Sequence, residues 1–205
     1  MSSRAPRPRA LAAPRARSRS RSRARGASTA GAADAAEDGA IHFFGIKGPY
    51  AALSNFAPTP FVGEDGVEYP NTEIYLHVDK ARAFGDADAL EAILTAATPL
   101  AAKRAGRAVR DYVDATWKAR REGTMLRGLR AKFAQHAGAR AVLLGTGDAP
   151  LIEAAPRDYF WGAGASGRGE NKLGQLLVRV RAEIRGAAAG DAAAAGDMAA
   201  AGATT

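Results

Sequence analysis

The segment DATWKARREGTMLRGLRAKFAQH, residues 114–136, predicts the longest helix of the chain and a helical fold around it. Its apolar residues recur at the spacing of one buried helical stripe. They are Met125, Leu126, Leu129 and Phe133. Gly138 follows, as is common where a helix ends, and residues 139–144 are expected to form a further short helix.

Capping residues predict three helices upstream of this segment. Asn71 or Thr72 can cap a helix that runs to about Phe84, because each side chain can accept a hydrogen bond from a free backbone N–H group. A second helix is expected to begin after Asp86. Pro99 starts a third, at a position where its missing N–H costs nothing.

A last helix is expected downstream, with Asn171 as its cap and Leu173, Leu176, Leu177, Val180 and Ile184 as its apolar face. The strand-like segments are few: residues 41–44, and a hairpin of residues 61–62 and 67–69 around a glycine-containing turn. No strand alternates regularly with a helix, which argues against a doubly wound sheet. The predicted fold class is therefore mainly α, with a small β element near the start of the domain.

The composition divides the chain into three parts: a disordered Arg/Ser/Ala-rich tail over 1–39, a domain over 40–185, and a disordered Ala/Gly tail over 186–205. Residues 1–26 carry nine arginines and no acid, although the whole chain has a net charge of +8. The other 179 residues hold 20 basic and 21 acidic side chains, a balance of −1. The basic character therefore belongs to the first tail and does not indicate that the domain binds nucleic acid.

Three interpretations of the arginine-rich tail stay open: non-specific contact with nucleic acid, a transit peptide, or a dispensable extension. No apolar segment approaches the roughly 18 residues that span a bilayer, so a cytoplasmic location and no membrane contact are expected. The absence of cysteine excludes disulfides and thiolate metal sites, and only three histidines occur. No metal and no cofactor are expected.

The segment DYFWGAGASGRGENKLG, residues 158–174, is rich in glycine and follows a run of aromatics. Its Gly162, Gly164 and Gly167 match a dinucleotide fingerprint formally, but no strand of a βαβ unit precedes them. The glycines could still present backbone N–H groups to phosphate, next to the positive end of a helix beginning after Asn171.

Two acids are candidates for chemistry, Glu73 in a first helical turn and Asp158 before the aromatics. Two carboxylates that converge on one pocket are what glycosidic cleavage requires, since one handles a proton and the other stabilises positive charge on the sugar. Structural alternatives exist: a helix-start acid for Glu73 and a turn-capping aspartate for Asp158. Trp117 and Trp161 could likewise be core residues.

A series of motifs between residues 41 and 183 resembles the NADAR family of YbiA-like proteins. They include Ser54-Asn55-Phe56-Ala57, Pro70-x-Thr72-Glu73-x-Tyr75 with Lys80, Gly106-Arg107, Trp117, Leu129-Arg130-Ala131-Lys132-Phe133, Asp158-x-x-Trp161-Gly162 and Gly167-x-Gly169-x-Asn171-x-Leu173-Gly174. The resemblance implies a mainly helical fold. It also implies an N-glycosidase that acts on early riboflavin-pathway intermediates or removes ADP-ribose from modified nucleobases.

The resemblance further implies a catalytic set of Glu73, Trp117 and Asp158 that needs no cofactor. The matching pocket residues would bind substrate: Asn55, Phe56, Lys80, Arg107, Trp161, Gly162, Asn171 and Lys172. The chain departs from the family pattern at His77, where glutamine is usual, and at Ala163, where an acid is common. The second departure favours an alternative function, a non-catalytic module that binds ADP-ribose or an NAD derivative.

Overall fold

The structure is a computed structural model and describes residues 39–202. The predictions made for residues 1–38 lie outside this range and stay predictions. Within residues 39–202, no helix is both long and apolar enough to cross a membrane.

Helices dominate the described residues, so the mainly α prediction is confirmed. The α-helices are α1 Thr72–Ala83, α2 Ala87–Leu94, α3 Pro99–Arg107, α4 Asp114–Gln135, α5 Ala137–Gly145 and α6 Lys172–Gly202. A single 3-10 turn occupies Ala51–Leu53. The predicted helix over residues 114–136 matches α4 closely, although α6, with 31 residues, is longer.

The predicted caps explain where the first three helices begin. Asn71 Oδ1 accepts a hydrogen bond from the N–H of Ile74 at 3.0 Å, and Asp86 Oδ1 accepts one from the N–H of Ala89 at 3.1 Å. Thr98 caps α3 in the same way, with Pro99 in the first turn. Each such cap typically stabilises a helix by about 1 kcal/mol.

Two small sheets accompany the helices. The predicted hairpin is confirmed as antiparallel strands β2 Phe61–Val62 and β3 Glu68–Tyr69. The predicted first strand is β1 Ile41–Phe43, and it pairs in parallel with β4 Leu151–Glu153, a strand that the sequence did not predict. This pairing brings the segment after β4 beside the segment after β1.

Two apolar clusters form the core. The stripe predicted for α4 is buried, with Met125, Leu129 and Phe133 fully inaccessible, and it packs in one cluster with Leu173 and Leu177 of α6. Burying each such side chain stabilises the fold by roughly 1.5–3 kcal/mol. Helix α1 is buried along nearly its whole length and packs against α2, α3 and α4.

The last helix differs from the sequence expectation at its start. Helix α6 runs on through residues 186–202, whose composition is mostly alanine, the strongest helix former. The tail predicted from residue 186 stays a prediction. Asn171 does not cap α6 with its side chain: its Oδ1 accepts from the N–H of Glu153 and its Nδ2 donates to the carbonyl of Leu151.

Candidate active site

A cleft of about 790 Å³ lies among the segments that follow β1 and β4 and the first turns of α3. Its wall combines three kinds of side chain. The apolar part includes Phe44, Ile46, Phe56 and Leu100; the cations are Lys103, Arg107 and Arg157; the acids are Glu153 and Asp158. A ligand in this cleft would meet apolar surface and charges of both signs.

Lys103 joins the two acids that the sequence singled out. Its ammonium lies 3.3 Å from Glu73 Oε1 and 3.7 Å from Asp158 Oδ2. Because both distances end on the same nitrogen, the two carboxylate oxygens are at most about 7 Å apart. The two acids therefore lie close together in space, with Lys103 between them.

Glu73 lies behind the cleft wall rather than in it. Its side chain is only 3% exposed, and Oε1 is 3.1 Å from His77 Nε2 as well as 3.3 Å from Lys103. Burial acts to raise the pKa of Glu73, but the hydrogen bond and charge of His77 and the charge of Lys103 outweigh it. The pKa therefore lies below its usual range and Glu73 is ionised.

The backbone around Glu73 is held by contacts with Asn55, in the segment Ser54-Asn55-Phe56. The N–H of Glu73 donates to the carbonyl of Asn55 at 3.1 Å, and the hydroxyl of Thr72 donates to Asn55 Oδ1 at 2.9 Å. Asn55 is buried and does not line the cleft. Its predicted binding role becomes, in the structure, a contact that positions the start of α1.

Asp158 uses its two oxygens for different purposes. Oδ1 accepts hydrogen bonds from the N–H groups of Phe160 and Trp161, at 3.2 and 2.8 Å, which is the turn-capping arrangement considered above. Oδ2 faces Lys103 at 3.7 Å, and the residue lines the cleft. The structural and the functional interpretation of Asp158 are therefore compatible.

Glu153, at the end of β4, is a third carboxyl group at this site and was missed by the sequence analysis. It lines the cleft and is 8% exposed. Burial, and then the charges of Asp158 and Glu73, raise its pKa to about 8, although Lys103 acts in the opposite direction. The apolar pair Leu151-Ile152 before it was the available signal, but a three-residue strand is too short to show periodicity.

Two backbone N–H groups of the glycine-rich loop are already bonded within the loop. The N–H of Gly169 donates to the carbonyl of Ala163 at 2.7 Å, and that of Gly167 to Gly164 at 3.2 Å. Gly162 instead allows close packing, because a Cβ there would lie 2.9 Å from the carbonyl oxygen of Glu153. The cleft is lined by the residues before the glycines, up to Asp158.

Of the remaining predicted residues, Phe56 and Arg107 line the cleft. The ring centroid of Phe56 lies 5.6 Å from the Lys103 ammonium. Among the described residues, Arg107 forms no ion pair, and neither does Arg157, the cleft arginine that the sequence analysis did not select. Both guanidinium groups can therefore receive an anion.

Four other predicted residues lie outside the cleft wall. Lys80 donates to the carbonyl of Gly106 at 2.7 Å. Trp117 is 7% exposed and packs in the core cluster with α4 and α6, and Trp161 packs against the same cluster. Lys172 lies 3.5 Å from Glu122 and 3.9 Å from Glu170, so its charge is already paired.

The two departures from the family pattern have different surroundings. His77 contacts Glu73 directly, and α3 approaches it so closely that a Cβ on Gly106 would lie 2.1 Å from His77 Nδ1. Ala163 is buried, and its N–H donates to the carbonyl of Glu153 at 2.8 Å. Ala163 does not line the cleft, and this hydrogen bond connects it to the cleft residue Glu153. In the described part of the chain, no three His, Asp or Glu side chains are arranged to bind a metal ion.

A mainly helical fold with carboxyl groups gathered at one cleft agrees with the class of protein expected from the sequence, a hydrolase of glycosidic bonds. The chain belongs to the NADAR domain family, whose pattern it matches over residues 42–185. It is 37% identical to the N-glycosidase YbiA of Escherichia coli over 148 residues, 72% of this chain and 90% of that protein. An N-glycosidase of Nostoc punctiforme is also 37% identical, over 71% of this chain and 92% of its own length.

The fold and a third relative agree with this assignment. The solution structure of E. coli YbiA superposes with a TM-score of 0.62 and covers 71% of this chain and 84% of that one. A maize protein named riboflavin biosynthesis protein PYRR, chloroplastic, is 31% identical over 76% of this chain and 27% of its own length. The family and the N-glycosidase class expected from the sequence are thereby confirmed.

Proposed function

We propose that this protein hydrolyses the N-glycosidic bond of a ribosyl phosphate or an ADP-ribosyl compound and releases an amine or a nucleobase. One observation carries the proposal: the wall of a single cleft holds two arginines without ion pairs and, around Lys103, a group of carboxyl side chains. Guanidinium groups bind phosphate with paired hydrogen bonds. Carboxyl groups cleave glycosidic bonds.

The cleft also suits the remaining parts of such a substrate. Its volume of about 790 Å³ is in the range of small-molecule sites. Phe44 and Phe56 offer apolar surface to a flat base, while Arg107 and Arg157 would bind the phosphate. The printed name of the maize relative supports riboflavin-pathway ribosyl phosphates as one of the two substrate types.

In the proposed reaction, water adds to the anomeric carbon as the C–N bond breaks through an oxocarbenium-like state. Asp158, at the cleft wall, stabilises the developing positive charge. Glu73, which is ionised, takes the proton from water once the flexible side chain of Lys103 has moved toward the substrate. Trp117 remains a predicted member of the catalytic set, and its buried position supports a role behind the cleft wall rather than in contact with substrate.

Incubation with a ribosylaminopyrimidine phosphate and with ADP-ribosylated guanine tests the proposal. Release of ribose phosphate or of ADP-ribose is expected, with a loss of about 10²-fold or more for Glu73→Gln and for Asp158→Asn. Glu91→Gln is the matched control, because Glu91 is an exposed acid on α2 and is not in the cleft wall. Unchanged turnover in both variants would refute the assigned roles.

Calorimetry with ADP-ribose separates the enzyme from the alternative function. Tight binding by a protein that leaves both substrates intact would favour a non-catalytic binding module. Deletion of residues 1–35 tests the tail in the same assays. We expect activity to survive the deletion, and its loss would favour a functional role of the tail in contact with nucleic acid.

A further inference from the structure

The position of Glu153 is held firmly by its backbone. Its N–H donates to Asn171 Oδ1 at 2.9 Å, and its carbonyl accepts from the N–H of Ala163 at 2.8 Å. Strand pairing places it opposite Phe43. Three different segments therefore fix this residue at the cleft wall, which is what a group of defined function requires.

The backbone of Glu153 is hydrogen-bonded, but its carboxyl oxygen Oε2 is not. Oε2 is buried and, within the described residues, has no hydrogen-bond partner. An ionised carboxylate without a partner is costly to bury, so such a group keeps its proton. Two neighbouring carboxylates, Asp158 and Glu73, add to this effect, and the pKa of Glu153 is raised to about 8.

The other two carboxylates at the site are acceptors. Glu73 is ionised and contacts His77 and Lys103, while Asp158 accepts hydrogen bonds from two backbone N–H groups. An ionised carboxylate has no proton to give. Departure of an amine or of an exocyclic nucleobase nitrogen requires a proton, because the nitrogen would otherwise leave as a strong base.

We infer that Glu153 is the general acid of the reaction, donating its proton to the leaving nitrogen while Glu73 acts on the water and Asp158 on the cation. This inference rests on the proposed function. The C–N bond breaks with its electron pair moving to nitrogen, which takes the proton of Glu153. The water oxygen bonds to the anomeric carbon, Glu73 takes the water proton, and solvent returns a proton to Glu153.

Leaving-group dependence gives the sharpest test, with Glu153→Gln as the variant and Glu91→Gln as the control. A ribosyl substrate with an amine leaving group should lose about 10²–10⁴-fold in kcat. A ribosyl pyridinium substrate, whose neutral leaving group needs no proton, should lose less than about tenfold relative to wild type. Equal losses on both substrates would show a merely structural role and overturn the inference, as would full activity on the amine substrate.

A second measurement does not depend on turnover. Carbon-13 NMR of glutamate-labelled protein should show one carboxyl that stays protonated at pH 7 and titrates near pH 8, and this resonance should vanish in Glu153→Gln. Titration of Glu153 near its ordinary pKa of 4.5 would overturn the inference even if the enzyme is active. A wild-type protein that cleaves none of the substrates would instead overturn the proposed function, and the role of Glu153 with it.

Discussion

Helix α1 carries two acids, Glu73 and Asp79, in opposite electrostatic surroundings. Asp79 belongs to a group with two arginines and a hydroxyl, here called the Asp79 cluster: Asp79, Arg120, Thr124 and Arg127. Glu73 belongs to the carboxylate cluster, defined as Glu73, Glu153 and Asp158 around Lys103. The Asp79 cluster has one acid for two cations, whereas the carboxylate cluster has three acids around one lysine.

The geometry of the Asp79 cluster is typical of a structural ion pair. Arg120 donates to both oxygens of Asp79, at 2.8 and 2.6 Å, and the hydroxyl of Thr124 donates at 2.6 Å. Burial acts to raise the pKa of Asp79, but these hydrogen bonds outweigh it and the pKa is lowered. Every oxygen has a donor, which is not true of Glu153. The difference agrees with the proposed catalytic role of the carboxylate cluster.

The largest expected effect is on the reaction rate of Glu73→Gln. We expect a loss of about 10³-fold in kcat/KM, because the variant cannot take a proton from water. The unfolding free energy should fall, but by less than in Asp79→Asn, because the variant keeps an oxygen acceptor and removes one negative charge beside Glu153 and Asp158. Removal of that charge should also lower the pKa of Glu153, so the alkaline limb of the pH–rate profile should move to lower pH. Enzyme kinetics check the rate, and denaturant unfolding checks the stability. A large loss of stability with normal kinetics would show that Glu73, like Asp79, has a structural role.

Asp79→Asn should give the opposite result. We expect the unfolding free energy to fall by about 2 kcal/mol, because the charge-assisted hydrogen bonds from Arg120 and the ion pair with Arg127 are weakened. The contribution of Asp79 is present above the ordinary aspartate pKa and is lost as the pH falls through the lowered value, so the deficit of the variant should shrink in acid. The kcat of Asp79→Asn should stay within about twofold of wild type, since the residue is not in the cleft wall. A variant that unfolds normally but turns over slowly would contradict this assignment.

Local sequence features predicted the parts of the fold that depend on neighbouring residues. Caps such as Asn71 and Thr98 and the first-turn Pro99 act within one helical turn, so the beginnings of the helices could be read from the sequence. Strand β4 depends instead on pairing with β1, which lies more than a hundred residues earlier in the chain. No local pattern reveals such a partner.

The difference between local sequence features and contacts of distant residues also explains which site residues the sequence analysis missed. Glu73 and Asp158 were found through a helix start, an aromatic run and the family resemblance. Glu153 became visible only when β4 placed it beside them, because the property that matters is the absence of a partner in three dimensions. The contacts of Lys103 with both acids depend on the packing of α3 on α1, which no local sequence pattern shows.

Lys132 provides a cation to compare with Lys103. It is fully buried and donates to the carbonyl of Ser54 at 2.9 Å, whereas Lys103 contacts two carboxylates. Burial lowers the pKa of Lys132 from 10.5 to about 7. Between these values the unfolded chain binds more protons than the folded one, so the protein should become more stable as the pH rises.

The unfolding free energy should be measured between pH 8.5 and 9.5. This range lies above the raised pKa of Glu153, because the titration of Glu153 makes the protein less stable as the pH rises through about 8. We expect wild type to gain up to about 1.4 kcal/mol of unfolding free energy per pH unit there. Lys132→Met should lack this slope. Equal slopes in urea titrations of the two proteins would show that Lys132 is not the group responsible.

The smallest effect concerns Arg130 and Glu183, an ion pair with the same two-point geometry as Arg120 and Asp79. Arg130 donates to the two oxygens of Glu183 at 2.8 and 2.7 Å, but the side chains are 47% and 36% exposed. The hydrogen bond from Arg130 is the main cause that lowers the pKa of Glu183 to about 2. Water screens so exposed a pair, so a double-mutant cycle should give a coupling of only about 0.5 kcal/mol.

The salt dependence of the coupling free energy tests whether burial or two-point geometry explains why the two ion pairs differ in strength. The coupling of Arg130 with Glu183 should vanish at about 1 M NaCl, where the Debye length is about 3 Å. The coupling of Arg120 with Asp79, whose carboxylate is 14% exposed, should persist under the same conditions. If the two couplings were equal and equally sensitive to salt, two-point geometry alone would account for them. Burial would then not explain why Asp79 contributes stability, and the contrast with the carboxylate cluster would rest only on the number of donors.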